Sequence, residues 1–136
     1  WGGGIAKGHL IVGNLTVITH LIGTEHQPSF KEAILIIEDI GEAPYKIDRM
    51  LTHLRLAGIL QQLSGLGFGS FTRCDDDKDV NKNKSFELID VFRDRTKDLQ
   101  IPIVSNLPIG HCVGNAALPQ GGQAILNGNQ GQLSLL

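Results

Sequence analysis

The stretch AILIIEDIGEAPYKIDRML, residues 33 to 51, constrains the fold more than any other part of the chain. It begins with an unbroken aliphatic and β-branched run, ILII, in which no polar residue alternates. A strand with one wetted face would alternate, so this run predicts a strand covered on both faces, as in the parallel sheet of an α/β domain. After it come Glu38, Asp39 and Glu42, then Pro44, which suits a first helical turn. Ile47, Met50, Leu51 and Leu54 follow at i, i+3, i+4 and i+7 spacing and predict a helix that stops at Gly58. Acids therefore cluster where a buried strand ends. Helix N-terminal electrostatics, a metal site and a catalytic carboxylate are the competing readings.

The flanking segments fit the same class. GHLIVGNLTVITHLIG predicts a short strand at 10 to 12, Asn14 as an N-cap, and a helix with Leu15, Ile18, Leu21 and Ile22 on one face before Gly23. ILQQL predicts another turn or two of helix, and LGFGSFT, residues 66 to 72, a strand whose glycines allow close backbone approach. Ser85 is expected to cap a helix running to about Asp98, with Phe86, Ile89, Phe92 and Leu99 inward. IPIVSNL predicts a strand with Pro102 near its start, and the last sixteen residues a β-hairpin. No repeat or linker divides the 136 residues, so they read as one domain, able to bury roughly two-thirds of the surface of its unfolded chain. With 12 Lys and Arg against 14 Asp and Glu, the chain lacks the positive charge that drives phosphate-backbone binding, which excludes nucleic acid as the expected partner. No apolar run approaches the ~20 residues a membrane helix needs, so no membrane partner is expected either. Cys74 and Cys112 form no CxxC, and no signal-peptide pattern precedes them, so reduced thiols and a cytoplasmic setting are the expectation.

Several features imitate chemistry without completing it. Gly2, Gly3 and Gly4 follow no strand and precede no Lys-Ser/Thr at phosphate-loop spacing, so they read as a flexible lead-in. Asp75, Asp77, Asp79, Asn81 and Asn83 resemble a calcium loop, but Val80 stands where the turn needs Gly and Phe86 where the bidentate Glu belongs; an exposed loop is expected. The histidines at 9, 20, 26, 53 and 111 make no zinc pattern, so no metal or other cofactor is expected, and His20 and His53 read as helix-surface residues. His111 differs: it follows an apolar segment and a glycine at a sheet end, where open α/β folds gather ligands. Cys112 beside it points the other way in an extended segment, and a buried thiol is expected there. Asp39 and Glu42 are explicable as acids before the Pro44 helix. Glu38 closes the buried strand itself, where a carboxylate could orient a histidine by accepting its ring N–H. Glu38 and His111 together would make two-thirds of a Ser-His-Glu arrangement, but no serine lies in an elbow context.

These segments, GNLTVITHLIGT, ILIIEDIGEAPYKIDRMLTHLRLAGIL, GFGSFT and IPIVSNLPIGHCVGNAALPQGGQAIL, resemble in order the C-terminal domain of the serine LD-carboxypeptidases, a family that includes microcin C immunity proteins. The resemblance runs over residues 8 to 135, and its most specific pieces are IIEDIGEAPYKIDRML and PIGH followed by LPQG. It implies a swivelling β/β/α domain, in the usual case a homodimer, that supplies the Glu and His of a triad. By motif, Glu38 is the implied triad glutamate and His111 the implied histidine, 73 positions apart. The serine nucleophile and oxyanion-hole amides are implied to lie in a separate N-terminal domain. The implied substrate is the L,D-peptide bond before the terminal D-alanine of a murein tetrapeptide, or, in the immunity branch, an amide to a toxic nucleotide analogue. Lys46, Val12 and Gln120 depart from the family pattern at positions outside the implied triad. Two rivals remain: a domain that binds cell-wall peptide without cutting it, and a structural domain whose acids only cap a helix. The last requires Glu38 and His111 to be far apart.

Overall fold

The computed structural model describes residues 1–75 and 87–136. Its elements run β1 (Ile5–Asn14), α1 (Leu15–Leu21), β2 (Ile34–Ile40), α2 (Pro44–Leu56), a 3-10 turn (Leu60–Gln62), β3 (Gly65–Thr72), α3 (Leu88–Thr96), β4 (Ile103–Val104), β5 (Gln123–Asn127) and β6 (Gln132–Leu135). The strands form one curled sheet in the order β4-β3-β2-β1-β5-β6. β1 to β4 are parallel, and β5 and β6 are antiparallel. β1 joins the two parts: residues from Leu10 to Asn14 pair with β2, and those from Ile5 to His9 pair with β5.

The ILII run behaves as its composition requires. Leu35 and Ile37 enter the core beneath the helices, with Ile47, Leu51, Leu54 and Phe92, while Ile34 and Ile36 enter a second cluster with Leu107, Ile109, Ala124 and Leu126. The helices therefore cover one face of the parallel sheet, and the curled β5–β6 end with the segment after β4 covers the other. This is the expected β/β/α arrangement. Ile47, Leu51 and Leu54 are fully buried, at about 1.5–3 kcal/mol each, so packing more than helix propensity holds α2 in place. Pro44 opens it, and Gly58, at φ +71°, ends it.

On β3 the glycines recur every second residue. A Cβ on Gly65 would touch Leu126, and one on Gly67 would meet Ile36 and Leu107. Period-2 alternation puts all of them on one face, and their missing side chains let the second layer lie close.

Several expectations need correction. β1 extends back to Ile5 because β5 supplies a second partner for its first half. The residues before it are docked rather than loose: Trp1 stacks on Phe68 with centroids 5.9 Å apart, and its indole N–H donates to Thr96 Oγ1 at 2.9 Å. ILQQL makes only a 3-10 turn, and IPIVSNL contributes a strand of two residues. α3 begins at Leu88, and the expected cap Ser85 and inward Phe86 lie outside the described residues, as does most of the calcium-like loop. Ile89 and Leu99 pack against the core only partly buried. At the surface α2 is joined to α3 by Asp48 with Arg95 and to the turn after α3 by Arg55 with Asp98. The Arg55 guanidinium holds the Asp98 carboxyl below its ordinary range.

Asp39 serves a different helix from the one expected. With Glu38 turned to one face, alternation turns Asp39 to the helix face, where it is 2% exposed. Its Oδ2 accepts from the Thr16 backbone N–H and hydroxyl at 2.9 Å each, and its Oδ1 accepts from the Asn14 side-chain amide at 2.9 Å. Asn14 in turn caps α1 by accepting from Val17 N–H at 3.1 Å. Asp39 therefore secures the start of α1, while Glu42 pairs with Lys46 at 3.0 Å on α2. Asp39→Ala strands these donors in a buried site and is expected to lower stability by about 2–4 kcal/mol. Urea unfolding checks this: the midpoint falls with an unchanged slope, and an unchanged midpoint refutes the assignment.

Candidate active site

Glu38 is the last buried residue of β2 on the second-layer face, opposite Asn14 of β1. On its other side the β2–β3 register shifts between Ile37 and Asp39, so that Phe68 and Phe71 flank an extra residue. The bulge opens the ladder beside Glu38, and Gly69 fills the gap: a Cβ there would collide with the Ile109 carbonyl and lie 3.2 Å from Glu38 Cβ. Bulge and glycine together let the segment carrying His111 close over the carboxylate.

His111 arrives through Gly110, whose φ of +109° is a conformation that L side chains rarely adopt. A Cβ on Gly110 would stand 2.6 Å from Glu38 Cβ and Cγ. This bare, left-handed residue aims both donors of His111 at one oxygen. Glu38 Oε2 accepts the His111 backbone N–H at 3.1 Å and meets the ring Nδ1 at 2.7 Å. The Gly110 N–H donates to Asn115 Oδ1 at 2.9 Å, which folds the following loop back on itself.

A carboxylate can only accept, so the Nδ1 contact places the ring hydrogen on Nδ1. Nε2 is then the basic nitrogen, and it has no hydrogen-bond partner among the described residues. The side chain of Glu38 is 9% exposed and that of His111 51%. A covered acid thus holds a half-open imidazole by one edge and leaves the other edge available. A cleft of about 350 Å³ is lined in part by Gly69, Phe71, Ser105 and Asn106.

Chemically the arrangement is suited to a general base and its orienter, with no hydroxyl, thiol or amine bonded to Nε2 among the described residues. The reading in which Glu38 only caps a helix predicts the two far apart, and they are in contact. His20 and His53 are on exposed helix surfaces, as expected. No group of three or more His, Cys, Asp or Glu placed to hold a metal occurs among the described residues. Cys112 is a correction: its thiol is free and half-buried, because the chain turns off the sheet at Gly110 and most of the next ten residues face solvent. The close approach at Gly69 was expected, but the aim that Gly110 gives His111 and the tie to Asn115 escaped the sequence reading. The glycine in PIGH and the period-2 glycines of GLGFG were the available signals, but neither names the side chain for which it makes room.

The LD-carboxypeptidase C-terminal domain model matches residues 7–126. The chain belongs to this family. A putative carboxypeptidase of Synechocystis is 47% identical over the whole chain, which spans 44% of that relative. The crystal structure of muramoyltetrapeptide carboxypeptidase from Oxalobacter formigenes superposes with a TM-score of 0.83 at 34% identity, covering 96% of this chain and 45% of that one. The microcin C7 self immunity protein superposes equally well, with a TM-score of 0.84, but at 23% identity over 39% of its length, a likeness of fold alone. The chain thus spans less than half the length of the curated relatives it matches. No described helix of this LD-carboxypeptidase C-terminal domain is long and apolar enough to cross a membrane.

Gly110→Ala introduces a Cβ into Glu38 and a side chain at a strained φ. It is expected to cost about 1–3 kcal/mol and to separate His111 from Glu38. Thermal unfolding and a crystal structure of the variant check both; a wild-type pair distance refutes the role given to Gly110.

Proposed function

We propose that this domain supplies the glutamate and histidine of a serine-type LD-carboxypeptidase whose substrate is the L,D-peptide bond before the terminal D-alanine of a murein tetrapeptide. The observation that carries the reading is the contact of the covered Glu38 carboxylate with His111 Nδ1 at 2.7 Å, which leaves Nε2 as a base. The reading places the serine and the oxyanion-hole amides in an N-terminal domain that meets this one at the carboxyl ends of β1 to β3. It sets the reaction in the cytoplasm, acting on peptides released from the wall. Two copies of the complete enzyme would form its homodimer.

In this mechanism His111 Nε2 takes the serine proton as the hydroxyl attacks the scissile carbonyl. The imidazolium then gives that proton to the departing D-alanine amine, leaving an acyl-serine. Water enters, His111 deprotonates it, and hydrolysis restores the serine. Throughout, Glu38 keeps the ring in the Nδ1–H tautomer and stabilises the imidazolium. The murein substrate is favoured over the nucleotide amides of the immunity branch by the identities, 34% to a muramoyltetrapeptide carboxypeptidase against 23% to the immunity protein. A domain that only binds cell-wall peptide has no use for an oriented base, and the oriented pair favours catalysis.

Two outcomes follow. In the full-length parent, Glu38→Gln lowers D-alanine release by about 10²–10⁴-fold with the fold retained, and His111→Ala lowers it at least as far; an unchanged rate in either removes that residue from the triad. The 136-residue chain alone is expected to show no peptidase activity above background, because the base has no nucleophile to serve. Turnover of murein tetrapeptide by this chain, lost in His111→Ala, would overturn the placement of the serine elsewhere.

A further inference from the structure

Beyond Gly110 the chain leaves the sheet, and Val113, two residues past the histidine, is fully exposed. Apolar packing therefore does little to hold the far side of His111, and polar tethers must do it. On the near side the segment is tied to β3 by backbone bonds, Leu107 N–H to the Phe68 carbonyl at 3.1 Å and Ser70 N–H to the Ile109 carbonyl at 2.7 Å. Past Gly110 a side chain of β3 provides the tie: the Thr72 hydroxyl donates to the His111 carbonyl at 2.6 Å. Ser70 Oγ lies 2.7 Å from Thr72 Oγ1. A carbonyl oxygen can only accept, so the single Thr72 proton is committed to His111 and Ser70 is the donor to Thr72. A directed chain runs from the Ser70 hydroxyl through the Thr72 hydroxyl to the His111 carbonyl.

This chain has a specific consequence for the ring. The backbone N–H of His111 is held by Glu38 Oε2 at 3.1 Å, and its carbonyl by Thr72. Bonds at both ends fix φ and ψ of the one residue whose ring must meet that same oxygen at 2.7 Å. Without the Thr72 bond, the peptide after His111 keeps only the tight local bond from Cys112 N–H to the Gly110 carbonyl at 2.8 Å, and nothing on that side ties the residue to the sheet except its own contacts with Glu38. Thr72 is suited to the task because its own backbone is fixed: it pairs with Ile40, and its carbonyl accepts from Gly41 N–H at 2.9 Å.

We propose that Thr72 is a positioning residue for His111, with Ser70 as its support, and that their hydroxyls keep the imidazole in the Nδ1–H tautomer against Glu38. For its effect on turnover this rests on the proposed function above; for its effect on the ring it does not. The ring is read in the 136-residue chain by long-range proton–nitrogen correlations of the histidines. Wild type is expected to show His111 with hydrogen on Nδ1 alone. Thr72→Val, close to isosteric but without a hydroxyl, is expected to show exchange-averaged tautomers and a lost Nδ1–H signal. Thr72→Ser is expected to restore the wild-type pattern. A folded Thr72→Val with wild-type ring signals overturns the proposal, as does a Thr72→Ser disturbed to the same extent. Should Thr72→Val not fold, Ser70→Ala decides: displaced His111 signals support the chain of hydroxyls, and unmoved ones overturn it.

In the full-length parent, Thr72→Val is expected to lower kcat roughly tenfold to a hundredfold, as misplacement of a reacting group does, with KM within about twofold. Thr72→Ser should recover most of the loss. A change confined to KM would overturn the proposal. A wild-type parent that releases no D-alanine would refute the proposed function, while the ring signals would still decide the role of Thr72.

Discussion

Everything at the candidate site depends on β2 being covered on both faces. A strand alternates its side chains strictly, so two covering layers turn each residue of ILIIED into an assignment to one layer or the other. Leu35 and Ile37 belong to the helices, and Ile34 and Ile36 to the second layer. The same alternation, carried two residues further, separates two adjacent acids into unrelated tasks. Glu38 falls on the second-layer side and meets His111; Asp39 falls on the helix side and receives the start of α1. Both carboxylates are buried, and each is compensated, Glu38 by two donors of His111 and Asp39 by four, which keeps the burial from being ruinous.

The second layer can approach Glu38 because β3 has no side chains in the way. Its alternate glycines leave that face bare, and the bulge next to Gly69 loosens the ladder where the incoming segment needs room. Gly110 then converts proximity into aim, since its positive φ presents both the N–H and the ring of His111 to one oxygen. Small residues thus determine the geometry of the larger ones. The site is built by removing atoms as much as by placing them.

Much of this was legible in the sequence. The doubly covered strand, the Asn14 cap, the Pro44-to-Gly58 helix, the close approach at the β3 glycines and the terminal hairpin each rest on local chemistry that tertiary contacts did not override. The elements that were misjudged share a physical reason, namely that their conformation depends on distant partners. β1 runs longer because β5 pairs with its first half. Trp1 is held because the aromatic surface of Phe68, brought from β3, lies beneath it. Cys112 is half-exposed because the turn at Gly110 lifts it from the layer that would have buried it.

By itself, the sequence determined the fold class, the family, and the two residues worth watching, because hydrophobic period and motif order are properties of the chain alone. It could place Glu38 at a strand end and His111 after a glycine, but not within reach of each other. That contact joins positions 73 residues apart through the register of β2 with β3 and the path of the segment beyond β4. Only the tertiary structure decided it, and only there did Asp39 become the anchor of α1 and Thr72 the tether of His111. Hydrogen bonds depend on distances of a few tenths of an ångström, and packing sets those distances among elements that the sequence lists far apart.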